Sequence, residues 1–269
     1  MIKLTDIFVY PIKSFGGIRM NESLVCKPGL EHDRRWMLVD LDGNFLSQRT
    51  HPKMATLAVE LNNGEFQVKD KHNPTDKITL PIIPHSNFIK KVRIWDAHVN
   101  AFLIDPTISK WIQQKLQIPC ELVHMPESVI RPIEEKYAVS DESVSFADSM
   151  PYLLISQASL DDLNSRLKKQ LTMDRFRPNL VVTGTEPFEE DQWDLIQVGG
   201  VRFKIVKPCA RCVMTTVDQD TGEIGKEPLR TLSKFRKNGN KIYFGQNMVP
   251  INFGMIRQNE VVEIIQKKN

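Results

Sequence analysis

Cysteine is scarce in this chain: four in 269 residues, at positions 26, 120, 209 and 212. So few cannot build a disulfide scaffold at this length, and free thiols suit a reducing cytoplasm, the expected location. An excess of charge of one sign is also lacking. Lysine and arginine number 36 against 33 acidic residues, a formal net charge of +3. That balance argues against the concentrated basic composition of a nucleic-acid binder, so no nucleic-acid partner is expected. Long apolar runs are missing too, and with them any segment able to span a bilayer as a helix. The N-terminus, Met1-Ile2-Lys3-Leu4-Thr5-Asp6-Ile7, alternates apolar with polar residues and lacks the apolar core of a signal peptide. A soluble protein with no membrane partner is the expectation. What is present is 41% hydrophobic residues, enough for a substantial core in one large or two modest domains.

Two of the cysteines stand close together in Lys207-Pro208-Cys209-Ala210-Arg211-Cys212, with Arg211 between them. Fixed cations beside a thiol stabilise its ionised form, which is a soft metal ligand or a nucleophile at neutral pH. The β-branched run Val213-Met214-Thr215-Thr216-Val217 then reads as a strand. A thioredoxin-type pair needs its first cysteine at a helix N-terminus, so a following strand argues against it. A structural zinc site needs four ligands, and no second Cys-x-x-Cys pair exists. The plain alternative is two buried cysteines beside a surface arginine. Cys209 and Cys212 share the same cationic surroundings, and these residues alone do not choose between them.

The first hundred residues read as short strands: Leu4 to Tyr10, Glu22 to Cys26, Arg35 to Val39 and, after Asp42-Gly43, Asn44 to Gln48. Glycine accepts the positive φ that tight hairpin turns need, so Asp42-Gly43 and Asn63-Gly64 mark two hairpins. The second joins Leu57–Leu61 to Glu65–Val68, and strands at Ile78–Leu80 and Val92–Trp95 follow. Strands at this spacing point to a sheet that curls or closes. Asp105 caps a helix running to Leu116, with Pro106 at its first position and Ile108, Trp111, Ile112 and Leu116 facing inward. The stretch from Pro119 to Glu135 is irregular, which places a domain junction there.

Beyond it, Tyr152–Ile155 forms a strand, and Ser156 or Ser159 caps a helix with Leu160, Leu163 and Leu167 on its inner face. A strand at Leu180–Val182, a short acidic helix after Pro187, a Gly199-Gly200 turn and a strand at Val201–Val206 lead into the cysteine motif. Asp218-Gln219-Asp220-Thr221-Gly222 begins like a calcium loop, but its glycine comes one place early and no closing glutamate follows, so a turn is expected. A helix over Leu229–Arg236 and a last strand at Val261–Ile265 complete the chain. The fold class is mainly β with α+β character.

Taken together, Tyr10-Pro11-Ile12-Lys13-Ser14, Asp33-Arg34-Arg35-Trp36-Met37-Leu38-Val39-Asp40, Phe176-Arg177-Pro178-Asn179, Cys209-Ala210-Arg211-Cys212 and Phe244-Gly245-Gln246-Asn247 follow one order. In that order the chain resembles MOSC-domain proteins with an N-terminal β-barrel domain, the group of YcbX-like proteins and mitochondrial amidoxime-reducing components. The fold this implies is a β-barrel-like domain over residues 1–121, then a β-barrel domain with flanking helices over 122–269. The resemblance implies a molybdenum–molybdopterin cofactor, with Cys212 as the protein's ligand to the metal and as its catalytic residue, and Cys209 as a neighbour. It implies that Lys13, Arg34 and Arg177 contact the cofactor, since fixed cations suit its phosphate. Ser14, Ser149 and Asn179 match positions that donate hydrogen bonds, Arg211 lies within the cofactor-binding motif, and Asn247 is expected near the metal's open side. Met150 stands where relatives often carry a small hydroxyl residue, and Asn247 replaces the tyrosine of the mitochondrial members.

The implied function is reduction of small N-hydroxylated compounds, such as hydroxylaminopurines, amidoximes or hydroxamates, by N–O cleavage. Such detoxification needs electrons. No cysteine follows Cys212 to form an appended [2Fe–2S] domain, so a separate flavoprotein or ferredoxin-like donor is expected. The alternative is a molybdopterin or sulfur carrier without reductase turnover.

Overall fold

The computed structural model describes residues 1–84, 86 and 88–268. Strand β1 (Lys3–Val9) buries Leu4, Ile7 and Val9, a spacing that strict alternation does not give. An irregularity in its register between Leu4 and Asp6 supplies the reason, because an extra residue returns Ile7 to the face of Leu4. Strands β2 (Ile18–Met20), β3 (Glu22–Cys26), β4 (Gly29–Leu30) and β5 (Trp36–Val39) follow. The expected return strand at Asn44–Gln48 makes only isolated bridges, Phe45 with Val39 and Asn44 with Arg93.

The three-stranded meander β6 (Leu57–Asn62), β7 (Glu65–Asp70) and β8 (Asn73–Leu80) turns first at Asn63 and Gly64, at φ of 51° and 79°. That pair of positive angles is the two-residue hairpin turn the sequence calls for. A second hairpin joins β9 (Ile89–Ile94) to β10 (Ala97–Leu103). Helix α1 (Pro106–Leu116) starts at Asp105, whose side chain accepts from Thr107 N at 2.8 Å. Ile108, Ile112 and Leu116 are buried as expected. Trp111 is only partly covered, because its indole N–H reaches out to Asp76. The stretch read as irregular contains β11 (Glu121–His124), which pairs with both β5 and β10.

The remaining strands are β12 (Tyr152–Ser156), β13 (Leu180–Thr183), β14 (Trp193–Val198), β15 (Val201–Ala210), β16 (Lys237–Asn238), β17 (Lys241–Pro250), β18 (Gly254–Arg257) and β19 (Val262–Lys267). Helix α2 (Gln157–Ser165), capped by the Ser156 hydroxyl, connects the parallel pair β12 and β13. Helix α3 is confined to Leu229–Leu232, shorter than expected, and the acidic segment after Pro187 is a 3-10 turn over Glu189–Gln192. The large sheet runs β19-β14-β15-β17-β12-β13-β1-β2, with β16 beside β17. Strands from the first twenty residues therefore complete the sheet that carries the cysteine motif. The core of that sheet gathers Tyr152, Trp193, Phe203 and Met248, and a second core around Trp36, Phe15 and Ile112 supports the first half. The protein is mainly β with flanking helices, as the sequence implies.

One local expectation fails at an important place. Val213–Thr216 is a 3-10 turn, not a strand. The Thr215 hydroxyl donates back to Cys212 O at 3.0 Å and the Thr216 hydroxyl to Val213 O at 2.7 Å. Such side-chain bonds give the backbone an alternative to a ladder. The thioredoxin reading still fails, on different grounds: Cys209 lies on β15 and so has no helix N-terminus beneath it.

Candidate functional site

Strands β15 and β17 carry the cysteine motif on a distorted ladder. Ile205 pairs with Met248 and Lys207 with Asn247, then Pro208 with Gln246 and Ala210 with Tyr243. One extra residue on β15 is thus followed by one on β17, and such bulges re-aim side chains at a sheet's rim. The second lies at Gly245, whose φ is 80°. A Cβ there would sit 2.6 Å from Ile155 Cγ1 and 2.8 Å from Leu154 O, so only glycine lets β17 approach β12 so closely. Arg211 fastens the motif. Its backbone N–H donates to Ile242 O at 2.7 Å, and its guanidinium donates to Phe244 O at 2.8 Å and Phe176 O at 3.0 Å.

Both thiols are half-buried and free. Burial pushes the Cys209 thiol up, and the opposing effect of Arg211 does not overcome it. The expectation that flanking cations stabilise a thiolate therefore does not hold for Cys209. The nearby Arg211 charge is directed largely at backbone carbonyls.

All nine residues singled out in the sequence line one cleft of about 440 Å³. Lys13, Ser14 and Arg34 come from the first half of the chain. Ser149, Arg177, Asn179, Arg211, Cys212 and Asn247 come from the second. Lys13 is buried and donates to Phe146 O at 2.8 Å and Asp148 Oδ1 at 2.6 Å. Burial lowers its pKa to about 8, even though Asp148 favours the charge. Arg34 pairs with Asp33 and donates to Arg177 O at 3.1 Å. Arg177 donates to Phe15 O at 2.6 Å. Asn179 lies in the wall, yet its side-chain amide bonds to Leu153 N and Phe8 O, which ties β12 to β1. Asn247 makes a long 3.5 Å contact to Pro208 O beside the cysteines.

Three wall residues hold left-handed backbone conformations without being glycine: Ser14 at φ 68°, Arg34 at 51° and Arg177 at 53°. Strained backbone of this kind costs on the order of 1 kcal/mol or more per residue and collects at ligand sites.

Several residues of the cleft carry no signal in the sequence. Arg49 donates to Asp148 Oδ2 at 2.6 Å and lies 4.6 Å from the Trp95 ring centroid. Burial works against its charge, but Asp148 and Cys212 together hold its pKa above the usual arginine range. Asp148 is itself held well below the usual carboxylate range, since Lys13 and Arg49 outweigh the cost of its desolvation. Tyr10, in the Tyr-Pro-Ile-Lys motif, is not part of the cleft lining but packs against two residues that are. It is buried, with the guanidiniums of both Arg34 and Arg177 over its ring.

The electrostatic character of the cleft is plain. Nine lysines and arginines line it against two acidic residues, Glu134 and Asp148. Arg49 Nη1, Arg177 Nη2 and Arg211 Nη2 are buried without a hydrogen-bond partner among the described residues. Buried donors of this kind are costly unless a ligand completes them. Two half-buried thiols in a cleft lined by three such guanidiniums define a class: a β protein whose cleft suits an anionic group and has soft sulfur donors in its wall.

Comparison with known proteins gives that class its family. Residues 1–119 match the MOSC N-terminal beta barrel domain and residues 141–263 the MOSC domain. Mitochondrial amidoxime-reducing component 1 of Homo sapiens is 32% identical over 97% of this chain and 82% of its own length. Mitochondrial amidoxime reducing component 2 of Rattus norvegicus is 36% identical over 87% of this chain and 72% of its own. A molybdenum cofactor sulfurase of Oryza sativa subsp. japonica is 30% identical over 96% of this chain, which spans 33% of that longer protein. The chain belongs to the MOSC family, in the group that joins an N-terminal β-barrel domain to the MOSC domain and includes the amidoxime-reducing components.

Proposed function

We propose that this protein is a molybdenum-cofactor-dependent oxidoreductase that reduces N-hydroxylated compounds to the parent amine, amidine or amide. The observation that carries this reading is the meeting of Cys212 with Lys13, Arg34 and Arg177 in one basic cleft. The residues fit a molybdenum–molybdopterin group. A thiol is the soft donor such a metal takes, and guanidiniums with unpartnered nitrogens suit a phosphate. When bound, the group would supply the two-electron cleavage of the N–O bond.

The protein's own residues bind and orient. Cys212 would hold the metal, while Lys13, Arg34 and Arg177 would hold the phosphate, helped by hydroxyls of Ser14 and Ser149. Arg211 keeps the thiol-bearing segment in place through its two carbonyl bonds. Asn179 braces the wall from behind, and Asn247, beside the cysteines, would face substrate. Hydroxylaminopurines, amidoximes and hydroxamates are the substrate classes proposed, with a separate flavoprotein or ferredoxin-like donor and a cytoplasmic location. Among the described residues, no helix is long and apolar enough to cross a membrane.

The test is turnover of an amidoxime by protein purified from cells that make the cofactor, with a reduced viologen in place of the donor protein. Release of the amidine is expected. Protein that retains molybdenum yet turns over none of the three substrate classes would contradict the reading and favour a carrier of molybdopterin or sulfur.

A further inference from the structure

Two guanidinium groups that line this cleft share one buried aromatic ring, Tyr10, which is not itself part of the lining. The central carbon of Arg34 lies 4.3 Å from the Tyr10 ring centroid, and that of Arg177 lies 4.2 Å away. All three side chains are buried: Tyr10 is 1% exposed, Arg177 6% and Arg34 9%. Two like charges this near each other out of water repel, and among the described residues only Arg34 of the two has a carboxylate partner, Asp33. Burial, and after it the charge of Arg34, lowers the Arg177 pKa to about 10. Something must offset that cost without occupying the nitrogens a ligand would use.

The Tyr10 ring meets both requirements. The face of an aromatic ring attracts cations electrostatically, most strongly where water is excluded. Unlike a carboxylate, it takes up none of the cation's hydrogen-bond donors, and Arg177 Nη2 stays unpartnered. Asp33 fixes the arrangement from below. One of its carboxylate oxygens accepts from the Tyr10 backbone N–H at 2.8 Å, and the other pairs with Arg34. The Tyr10 hydroxyl has no partner among the described residues, and taking Tyr10→Phe as the reference separates any part it plays from that of the ring.

We propose that Tyr10 is a positioning residue for anion binding: its ring keeps Arg34 and Arg177 together and charged, leaving guanidinium nitrogen free for a phosphate monoester. The phosphate as part of a pterin cofactor rests on the function proposed above; the role of the ring does not.

The test uses the full chain purified from a host that cannot make the cofactor, titrated with inorganic phosphate. Tyr10→Phe is the reference for a series in which mono-, di- and trifluorinated phenylalanine replace residue 10. Fluorine drains the ring's negative face with little change of shape, so melting temperature serves as the control. Phosphate affinity is expected to fall stepwise along the series, by about fivefold to tenfold in total. Tyr10→Leu, which has no ring, should lose at least as much. Affinity that stays flat across the fluorinated series overturns the inference, as does wild-type protein that fails to bind phosphate. A graded fall in protein that never acquires molybdenum or pterin from a competent host supports the ring's role while removing the cofactor reading.

Discussion

Lys13 Nζ and Asp148 Oδ1 lie 2.6 Å apart, and the two residues come from opposite halves of the chain. The same carboxylate reaches Arg49 at 2.6 Å through its other oxygen, so one anion organises two cations of the cleft. The pair also sets a pH limit. Burial holds the Lys13 pKa at about 8, below the ordinary lysine value, so the ammonium is present below that pH and lost above it. Phosphate affinity should therefore decline as pH rises through about 8, by one proton. Lys13→Arg, which stays charged, should remove the inflection. Phosphate titrations between about pH 7 and 10 check this against the ordinary lysine range.

Arg177 separates stability from binding. It is 6% exposed, with one buried nitrogen unpartnered, so in the free protein its charge is a burden. Arg177→Met removes a buried charge but also the donor to Phe15 O, so the melting temperature should change little, while phosphate affinity falls about tenfold or more. A large fall in melting temperature would show that the guanidinium supports the fold instead.

Gly245 tests the close approach of β17 to β12. Gly245→Ala places a Cβ 2.6 Å from Ile155 Cγ1 on a backbone at φ 80°. The cost should be about 2–4 kcal/mol in denaturant unfolding. Arg211 bonds to Phe244 O, so the same substitution should loosen the cysteine motif and weaken metal retention.

Gln48 and Gln219 join the halves. Each side-chain amide donates to the other's oxygen, at 3.2 and 3.1 Å, and Gln48 also donates to Ser14 O at 2.7 Å. Gln219→Ala strands the buried Gln48 oxygen and should cost about 1–2 kcal/mol. Chemical unfolding measures it directly.

Where local chemistry decides, the sequence is legible. Asn63-Gly64 names its turn, Asp105 names its cap, and the second helix's cap is narrowed to Ser156 or Ser159, because each effect is contained within a few residues. Strand β11 escapes notice because β5, distant in the chain, settles its pairing, and β10 because its hairpin turn from β9 places Trp95, not a glycine, at positive φ. The run after Cys212 misleads because two threonine hydroxyls bond backward and turn a β-branched segment into a 3-10 turn. At the site, Lys13, Arg34, Arg177 and Cys212 are readable through their motifs. Arg49 is not, because its partners Asp148 and Trp95 meet it only in the folded chain. The near-neutral overall charge hides the cleft for a similar reason: a sum over 269 residues says nothing of where folding gathers nine cations.

The central claim is that Cys212, and not Cys209, holds a metal–pterin group in a cleft built from both halves. Molybdenum and pterin content, measured on wild-type, Cys209→Ala and Cys212→Ala proteins from a cofactor-competent host, tests it most directly. Wild-type and Cys209→Ala proteins should carry molybdenum and pterin, and Cys212→Ala should lose the metal. Metal retained by Cys212→Ala, or missing from wild-type protein, would contradict the account.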